Sequence, residues 1–203
     1  MLASPLLIAA IGNTAARLSL QFLGDWAWIG TAPIYFASIV LVVTLLGGRA
    51  RLPAWFGASR GSLLWPILAV VVGLSPIPML LLPNLRLLNS PLLIGLWILF
   101  ALINGSLEEV YWRGFLFDEI QGLPKWVGVV YSSALFVAIH FVMLGVFAKL
   151  LANVAFLVIL IGITVVYAVM YLRTGSLRWP IVSHILTDVT NMNIFVFMNL
   201  IRF

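Results

Sequence analysis

WAWIGTAPIYFASIVLVVTLL, Trp26 to Leu46, runs for 21 residues without a charged side chain. A helix crossing the hydrocarbon core of a bilayer needs about 20 apolar residues, with a range near 17–25, so this stretch reads as a membrane span. Working outward, Leu63 to Leu82 reads as a second span, and Pro66, Pro76 and Pro78 inside it predict kinks rather than a straight rod. Pro91 to about Gly122 begins apolar and then takes on charge. Lys125 to Leu144, Leu150 to Leu172 and Arg178 to Met198 follow as further spans. The first twenty-odd residues, which include Asn13 and Arg17, read as a weaker span or an interfacial helix. Six crossings and a seventh are expected. The fold class is all-α: a polytopic transmembrane helical bundle of six to eight helices with its active site inside the bundle.

The composition agrees. Hydrophobic residues make up 64% of the 203-residue chain and charged residues 8%, against roughly 45–50% and about 25% in soluble globular proteins. So few charges cannot cover a soluble surface. With no cysteine, disulfide frameworks, thiolate metal sites and cysteine nucleophiles are excluded. The formal charge of +5 is spread singly between apolar runs, which gives no stripe for nucleic acid and suits membrane flanks instead. Taking the loop at 47–62 as cytoplasmic puts Arg49, Arg51, Arg60, Lys125, Arg173 and Arg178 on that side and Arg86, Lys149 and Arg202 on the other. Trp55, Trp65, Trp126 and Trp179 fall at the predicted boundaries, as an aromatic belt does. The amino terminus lacks the basic region and cleavage site of a signal peptide. Residues 1–203 are expected to form a single integral membrane domain in the lipid bilayer, multi-pass, in a prokaryotic cytoplasmic membrane.

The informative residues are ionisable groups far from any loop, because each costs a few kcal/mol or more to place in a span. Glu108 and Glu109 follow an apolar run, His140 lies deep in another, and His184 and Asp188 lie in the last span. Half of the six acidic residues and both histidines thus fall in three neighbouring hydrophobic segments. Gly122-Leu-Pro-Lys125 reads as a turn. In an antiparallel hairpin about that turn, Glu108 and His140 both lie about 21–23 Å away at 1.5 Å per residue. Glu109 and Arg113, Phe136 and His140, and His184 and Asp188 are each four apart, so each pair shares a helix face. Glu108 and Glu109 point roughly 100° apart, so one can face a shared cavity while the other turns to a structural partner. Asp118 and Glu119 lie near the predicted surface and need no special role.

Read in order, these motifs are Glu108-Glu109-Val-Tyr-Trp-Arg113, Phe136-Val-Ala-Ile-His140 and His184-Ile-Leu-Thr-Asp188. They resemble the E-E-x-x-x-R, F-x-x-x-H and H-x-x-x-N or H-x-x-x-D pattern of the CPBP family (CAAX proteases and bacteriocin-processing enzymes, also called Abi, Rce1-like intramembrane proteases). The resemblance covers residues 91–198, a CPBP-like catalytic core, and leaves residues 1–90 as accessory membrane helices. It implies an intramembrane endopeptidase that hydrolyses a peptide bond in a membrane-associated peptide or protein tail with glutamate-activated water. On that implication Glu108 is the base, Glu109 and Arg113 support it, His140 helps bind and activate the water, and His184 with Asp188 stabilises the oxyanion. Amide hydrolysis needs a base and donors aimed at the developing charge, and a nearby Arg favours the ionised form of a buried carboxylate. Some relatives carry Asn where this chain has Asp188. Asn can donate to an oxyanion and ionised Asp cannot, so Asp188 is read as orienting His184 while His184 donates. Glu108, His140 and His184 also make a possible Zn²⁺ site; the expectation is that no metal or cofactor is used.

Each motif has a blander reading. Glu109 with Arg113 can be a neutralising ion pair, His140 a hydrogen-bonded core residue, His184 with Asp188 an intrahelical contact, and Phe136 simple packing. Only their co-occurrence favours a site. Gly57-Ala-Ser59-Arg-Gly61 fits G-x-S-x-G but lies in a basic loop with no preceding strand, and H-E-x-x-H is absent. Two other functions compete with the peptidase, whose cleavage is expected near the cytoplasmic interface. A proton- or ion-coupled transporter would use buried Glu, His and Asp as a relay, although the cluster sits in one half of the chain rather than in paired halves. A non-catalytic membrane adaptor would keep the fold and bind a partner. Prenylated CAAX tails, bacteriocin leaders and membrane-anchored regulators are the candidate substrates.

Overall fold

A computed structural model describes residues 1–120 and 122–201; Arg202 lies outside them. Five helical stretches are long and apolar enough to cross a membrane: Ser4–Leu45, Leu64–Leu87, Pro91–Asp118, Lys125–Val146 and Val154–Thr174. The first holds two helices, α1 (Ser4–Leu23) and α2 (Ala27–Leu45), joined by a tight turn at Gly24–Trp26 and packed on each other. The amino-terminal segment is therefore a full helix of the bundle. It also packs on the helix that holds Val142, whose carbonyl accepts from the Asn13 amide, and Ser4 is hydrogen-bonded to Tyr111 at 2.8 Å.

A single turn, α3 (Leu52–Trp55), precedes α4 (Leu64–Leu74). The α4 helix stops before Pro76 and continues as a wide turn at Ile77–Leu81 and a tight one at Leu82–Leu87, so the prolines interrupt this span as the sequence predicts. Ser90 caps α5 (Pro91–Glu109) by accepting from the Leu93 amide. A π-helical turn at Val110–Phe115 follows immediately, then the short α6 (Leu116–Asp118). Next come α7 (Lys125–Met143) and α8 (Val154–Thr174), which pack on each other.

The last expected span is not continuous. α9 (Arg178–Thr190) has 13 residues, about 20 Å of helix against a hydrocarbon core of about 30 Å. Met192 then enters the left-handed region at φ 55°, and α10 (Asn193–Phe197) follows. The reason is chemical. Ser183, His184, Thr187, Asp188 and Thr190 make α9 too polar to meet lipid, and all of them are buried. The helix sits among α4, α5 and α8, while apolar side chains such as Leu6, Phe22, Leu45 and Val158 face outward.

Two glycines permit this burial. A Cβ on Gly73 of α4 would lie 2.5 Å from the Leu186 Cβ, and one on Gly105 of α5 would lie 2.9 Å from the Ile185 backbone nitrogen. Small residues at such crossings let helix backbones approach closely. At Gly73 the approach also brings its carbonyl to 2.6 Å from the Thr190 hydroxyl.

At one end of the bundle, the loop after α2 docks on the ends of α6 and α8. Asp118 accepts from the Trp55 indole at 2.8 Å and from the Tyr171 hydroxyl at 3.1 Å, Glu119 pairs with Arg51 at 2.7 Å, and the Arg178 guanidinium donates to the Phe56 carbonyl at 3.0 Å. Asp118 and Glu119 thus hold the basic loop rather than idling at the surface. Trp55 is 2% exposed and is a buried anchor, not part of an interfacial belt. Ser59 accepts a hydrogen bond from the Trp179 indole at 3.1 Å, a structural contact consistent with discounting the G-x-S-x-G match.

Candidate active site

Helix α5 carries Asn104, Glu108 and Glu109 toward α9, and the π turn directly after Glu109 presents Arg113. An i→i+5 turn of this kind adds a residue to the helix and is common at functional sites. The two adjacent glutamates diverge as their spacing predicts. Glu108, 2% exposed, lines a cavity; Glu109, fully buried, turns to Arg113 at 3.0 Å. The fully buried Arg113 also donates to the Thr164 carbonyl at 3.2 Å and to its hydroxyl. Its guanidinium lies 4.5 Å from the centre of the Phe136 ring and 5.5 Å from that of Tyr167. Phe136 is therefore a cation–π partner of the buried cation, more than packing.

His184 joins the two carboxylates. Its Nδ1 lies 2.7 Å from Glu109 Oε1, its Nε2 3.5 Å from Glu108 Oε2, and Asp188 Oδ1 is 3.8 Å from that same Nε2. The residue that orients His184 is thus Glu109, not Asp188 as the i,i+4 spacing suggests. On a helix that spacing brings two side chains near without aiming their polar ends, and α5 supplies a better acceptor. Asp188 is engaged elsewhere: its Oδ2 accepts from Asn104 at 2.9 Å and its backbone carbonyl from the Trp97 indole at 3.2 Å. Tyr167 flanks the imidazole at 5.3 Å between ring centres, and its hydroxyl is held by Thr187 at 2.7 Å.

His140 reaches the same cavity from α7. Its ring lies 4.3 Å from that of Phe136, and its Nδ1 hydrogen-bonds the Phe136 carbonyl at 2.8 Å. It shares a cavity wall with Glu108 rather than a hydrogen bond. Two residues of the cluster carry no motif. Tyr35, from α2, donates to Glu108 Oε1 at 2.6 Å, and Asn104 donates to Glu108 Oε2 at 3.3 Å. A lone tyrosine in an apolar span gives no sequence signal. Asn104 did offer one, since it stands four residues before Glu108 in the same helix.

The cavity is about 420 Å³, within the usual range for small-ligand sites. Its inner end is Tyr35, Asn104, Glu108, His140, His184 and Asp188, and its walls are mostly apolar. It extends past Phe100, Phe156 and Leu160 toward the segments that hold Ser75–Leu80, Leu144–Asn153 and Asn191–Phe197. Those segments lie at the end of the bundle opposite the docked basic loop. Two expectations therefore part: if the cationic loops face the cytoplasm, the cavity is reached from the other face, not from the cytoplasmic interface.

Among the described residues, no three His, Asp or Glu side chains are arranged to hold a metal ion. Glu109 holds Nδ1 of His184 at 2.7 Å, and Nε2 of the same ring faces Glu108 at 3.5 Å.

Fold and cluster together define a polytopic membrane protein with a buried carboxylate–histidine site. Residues 90–190 match the model of the Rce1-like type II CAAX prenyl endopeptidases, and over this segment, which holds every residue of the cluster except Tyr35, the chain belongs to that family. The family is one of peptidases, which favours that class over a transporter or an adaptor. No curated protein and no solved structure matches the chain.

Proposed function

We propose that the protein is an intramembrane endopeptidase that cleaves a membrane-associated peptide or protein tail, with Glu108 as the base that activates water. The observation that carries this reading is the placing of Glu108 at the inner end of an apolar cavity, held by Tyr35 on one oxygen and faced by His184 on the other.

Chemically, Glu108 takes a proton from water as the water oxygen bonds to the substrate carbonyl carbon, and the carbonyl π pair moves onto oxygen. Return of that pair breaks the C–N bond, and the proton held by Glu108 passes to the leaving amine. Glu109 and Arg113 fix His184, which acts as the doubly protonated imidazolium: Nδ1–H goes to Glu109, and Nε2–H is the donor for the oxyanion. His140 carries its hydrogen on Nδ1 against the Phe136 carbonyl, which leaves Nε2 as an acceptor for the attacking water. The apolar walls accept a lipid-like anchor or an apolar peptide segment, and the family name points to a prenylated carboxy-terminal tail. The setting is a prokaryotic cytoplasmic membrane.

The test uses the full chain in proteoliposomes with a quenched fluorescent peptide bearing a farnesylated C-terminal tail, its unprenylated twin, and a leader-type peptide. Turnover of the farnesylated peptide above its twin, lost in Glu108→Gln, is expected. Equal turnover by wild type and Glu108→Gln would overturn the proposal.

A further inference from the structure

Stabilising an oxyanion requires polarised hydrogens that are free to turn toward it, and the polar atoms of the cavity wall sort sharply by that test. Ionised Glu108 and Asp188 only accept. The Tyr35 hydroxyl is committed to Glu108 Oε1 at 2.6 Å. His140 directs its Nδ1 hydrogen to the Phe136 carbonyl, so its Nε2 is an acceptor. Asn193 Nδ2, buried without a partner, also lines the cavity, but the donors that converge on Glu108 are the Nδ2 amide of Asn104 and, in the doubly protonated ring whose Nδ1–H goes to Glu109, Nε2–H of His184.

Asn104 is 8% exposed and lies one turn before Glu108 on α5. Its Nδ2 is 2.9 Å from Asp188 Oδ2 and 3.3 Å from Glu108 Oε2. The amide cannot be turned over, because Oδ1 would then face two carboxylates. One Nδ2 hydrogen is thus held firmly by Asp188. The second is held loosely toward Glu108 Oε2, the same oxygen that His184 Nε2 faces at 3.5 Å. Two donors on two helices converge on one point beside the base, both at distances longer than a strong hydrogen bond.

Resting on the peptidase reading above, we infer that Asn104 is a catalytic residue, the second oxyanion donor beside His184, and that Asp188 is the positioning residue that fixes its amide. As the water oxygen bonds to the carbonyl carbon and the π pair moves onto oxygen, the free Nδ2–H of Asn104 and the Nε2–H of His184 turn from Glu108 to that oxygen. Glu108 is by then taking the water's proton. Asn104 keeps both of its own protons throughout, so the step balances without it.

The experiment measures kcat and KM on the farnesylated peptide, and binding of a phosphinate analogue of the same peptide, which mimics the oxyanion. Asn104→Ala is expected to lower kcat by about 10²–10³-fold with KM changed less than about threefold, and to weaken phosphinate binding by a factor close to the loss in kcat while uncleaved peptide binds as before. A kcat within about threefold of wild type, or a lost kcat with phosphinate binding unchanged, overturns the inference. If Asn104→Ala does not fold, Asn104→Leu, close in volume and without an amide, takes its place. It is expected to show the same matched losses in kcat and phosphinate binding, and phosphinate binding as in wild type overturns the inference. Glu108→Gln runs alongside: its retaining full turnover defeats the peptidase reading itself, whereas a dead Glu108→Gln beside a fully active Asn104→Ala defeats this inference alone.

Discussion

The imidazole of His184 bridges consecutive carboxylates of α5, with Nδ1 at 2.7 Å from Glu109 Oε1 and Nε2 at 3.5 Å from Glu108 Oε2. Glu109 is in turn held by Arg113 at 3.0 Å, and neither Glu109 nor Arg113 is exposed. The catalytic proposal therefore depends on a buried ion pair whose own task is to aim a histidine.

That pair sets the first prediction. Removing one member leaves an uncompensated buried charge, a cost of about 3–5 kcal/mol. Glu109→Leu and Arg113→Met are each expected to lower the unfolding midpoint in detergent sharply. The double variant is expected to recover much of that loss, because contacting residues do not add. Activity follows a different rule: the double variant stays inactive, since His184 has lost its acceptor. Thermal unfolding and peptide turnover on the three variants check both statements, and additive destabilisation would contradict the first.

Helix approach sets the second. A methyl on Gly105 would meet the Ile185 backbone at 2.9 Å, and backbone atoms cannot step aside as a side-chain end can. Gly105→Ala is expected to cost about 1–3 kcal/mol by overpacking and to push Glu108 away from His184. Gly95, on the same helix with nothing within 4 Å of an added Cβ, is the control, and Gly95→Ala is expected to leave turnover unchanged. Equal effects of the two substitutions on turnover would contradict this packing account.

Access is the third. The chain has no cysteine, so single cysteines report alone. Ala58 lies in the docked basic loop and Ala152 beside the far end of the cavity, and both are exposed. With the cationic loops inside, Ala152→Cys is expected to react with a membrane-impermeant maleimide in intact cells and Ala58→Cys only after permeabilisation. The reverse pattern would put the cavity mouth on the cytoplasmic face.

Metal dependence is the fourth. The proposed step activates water with Glu108 alone, so turnover is expected to survive prolonged exposure to a zinc chelator. Loss of turnover that added Zn²⁺ restores would show that the side chains of the site rearrange to bind the ion.

Much of this was legible in the sequence, for identifiable reasons. Apolar runs of spanning length and proline interruptions are local signals, so α2, α4, α5, α7 and α8 could be placed from them. Ionisable groups stand out in a chain with so few, which drew attention to Glu108, Glu109, Arg113, His140, His184 and Asp188. What stayed hidden depends on tertiary direction. Helical spacing put Asp188 beside His184 but could not show that Asp188 turns to Asn104, or that Tyr35 crosses from α2 to Glu108. The break at Met192 was masked because Ile194 to Met198, just after it, are as apolar as a lipid-facing span, although they are buried in protein. Asp118 looked idle because its partners, Trp55 and Tyr171, lie 63 and 53 residues away.

The most direct test of the central claim separates binding from chemistry at Glu108. A farnesylated peptide with a photoreactive group in its anchor is equilibrated with wild-type protein and with Glu108→Gln in proteoliposomes, and crosslinking and cleavage are read from the same sample by mass spectrometry. The account predicts equal crosslinking to the cavity wall near Phe156 and Leu160 in both proteins, with cleavage in wild type alone. Cleavage by Glu108→Gln at the wild-type rate would contradict it.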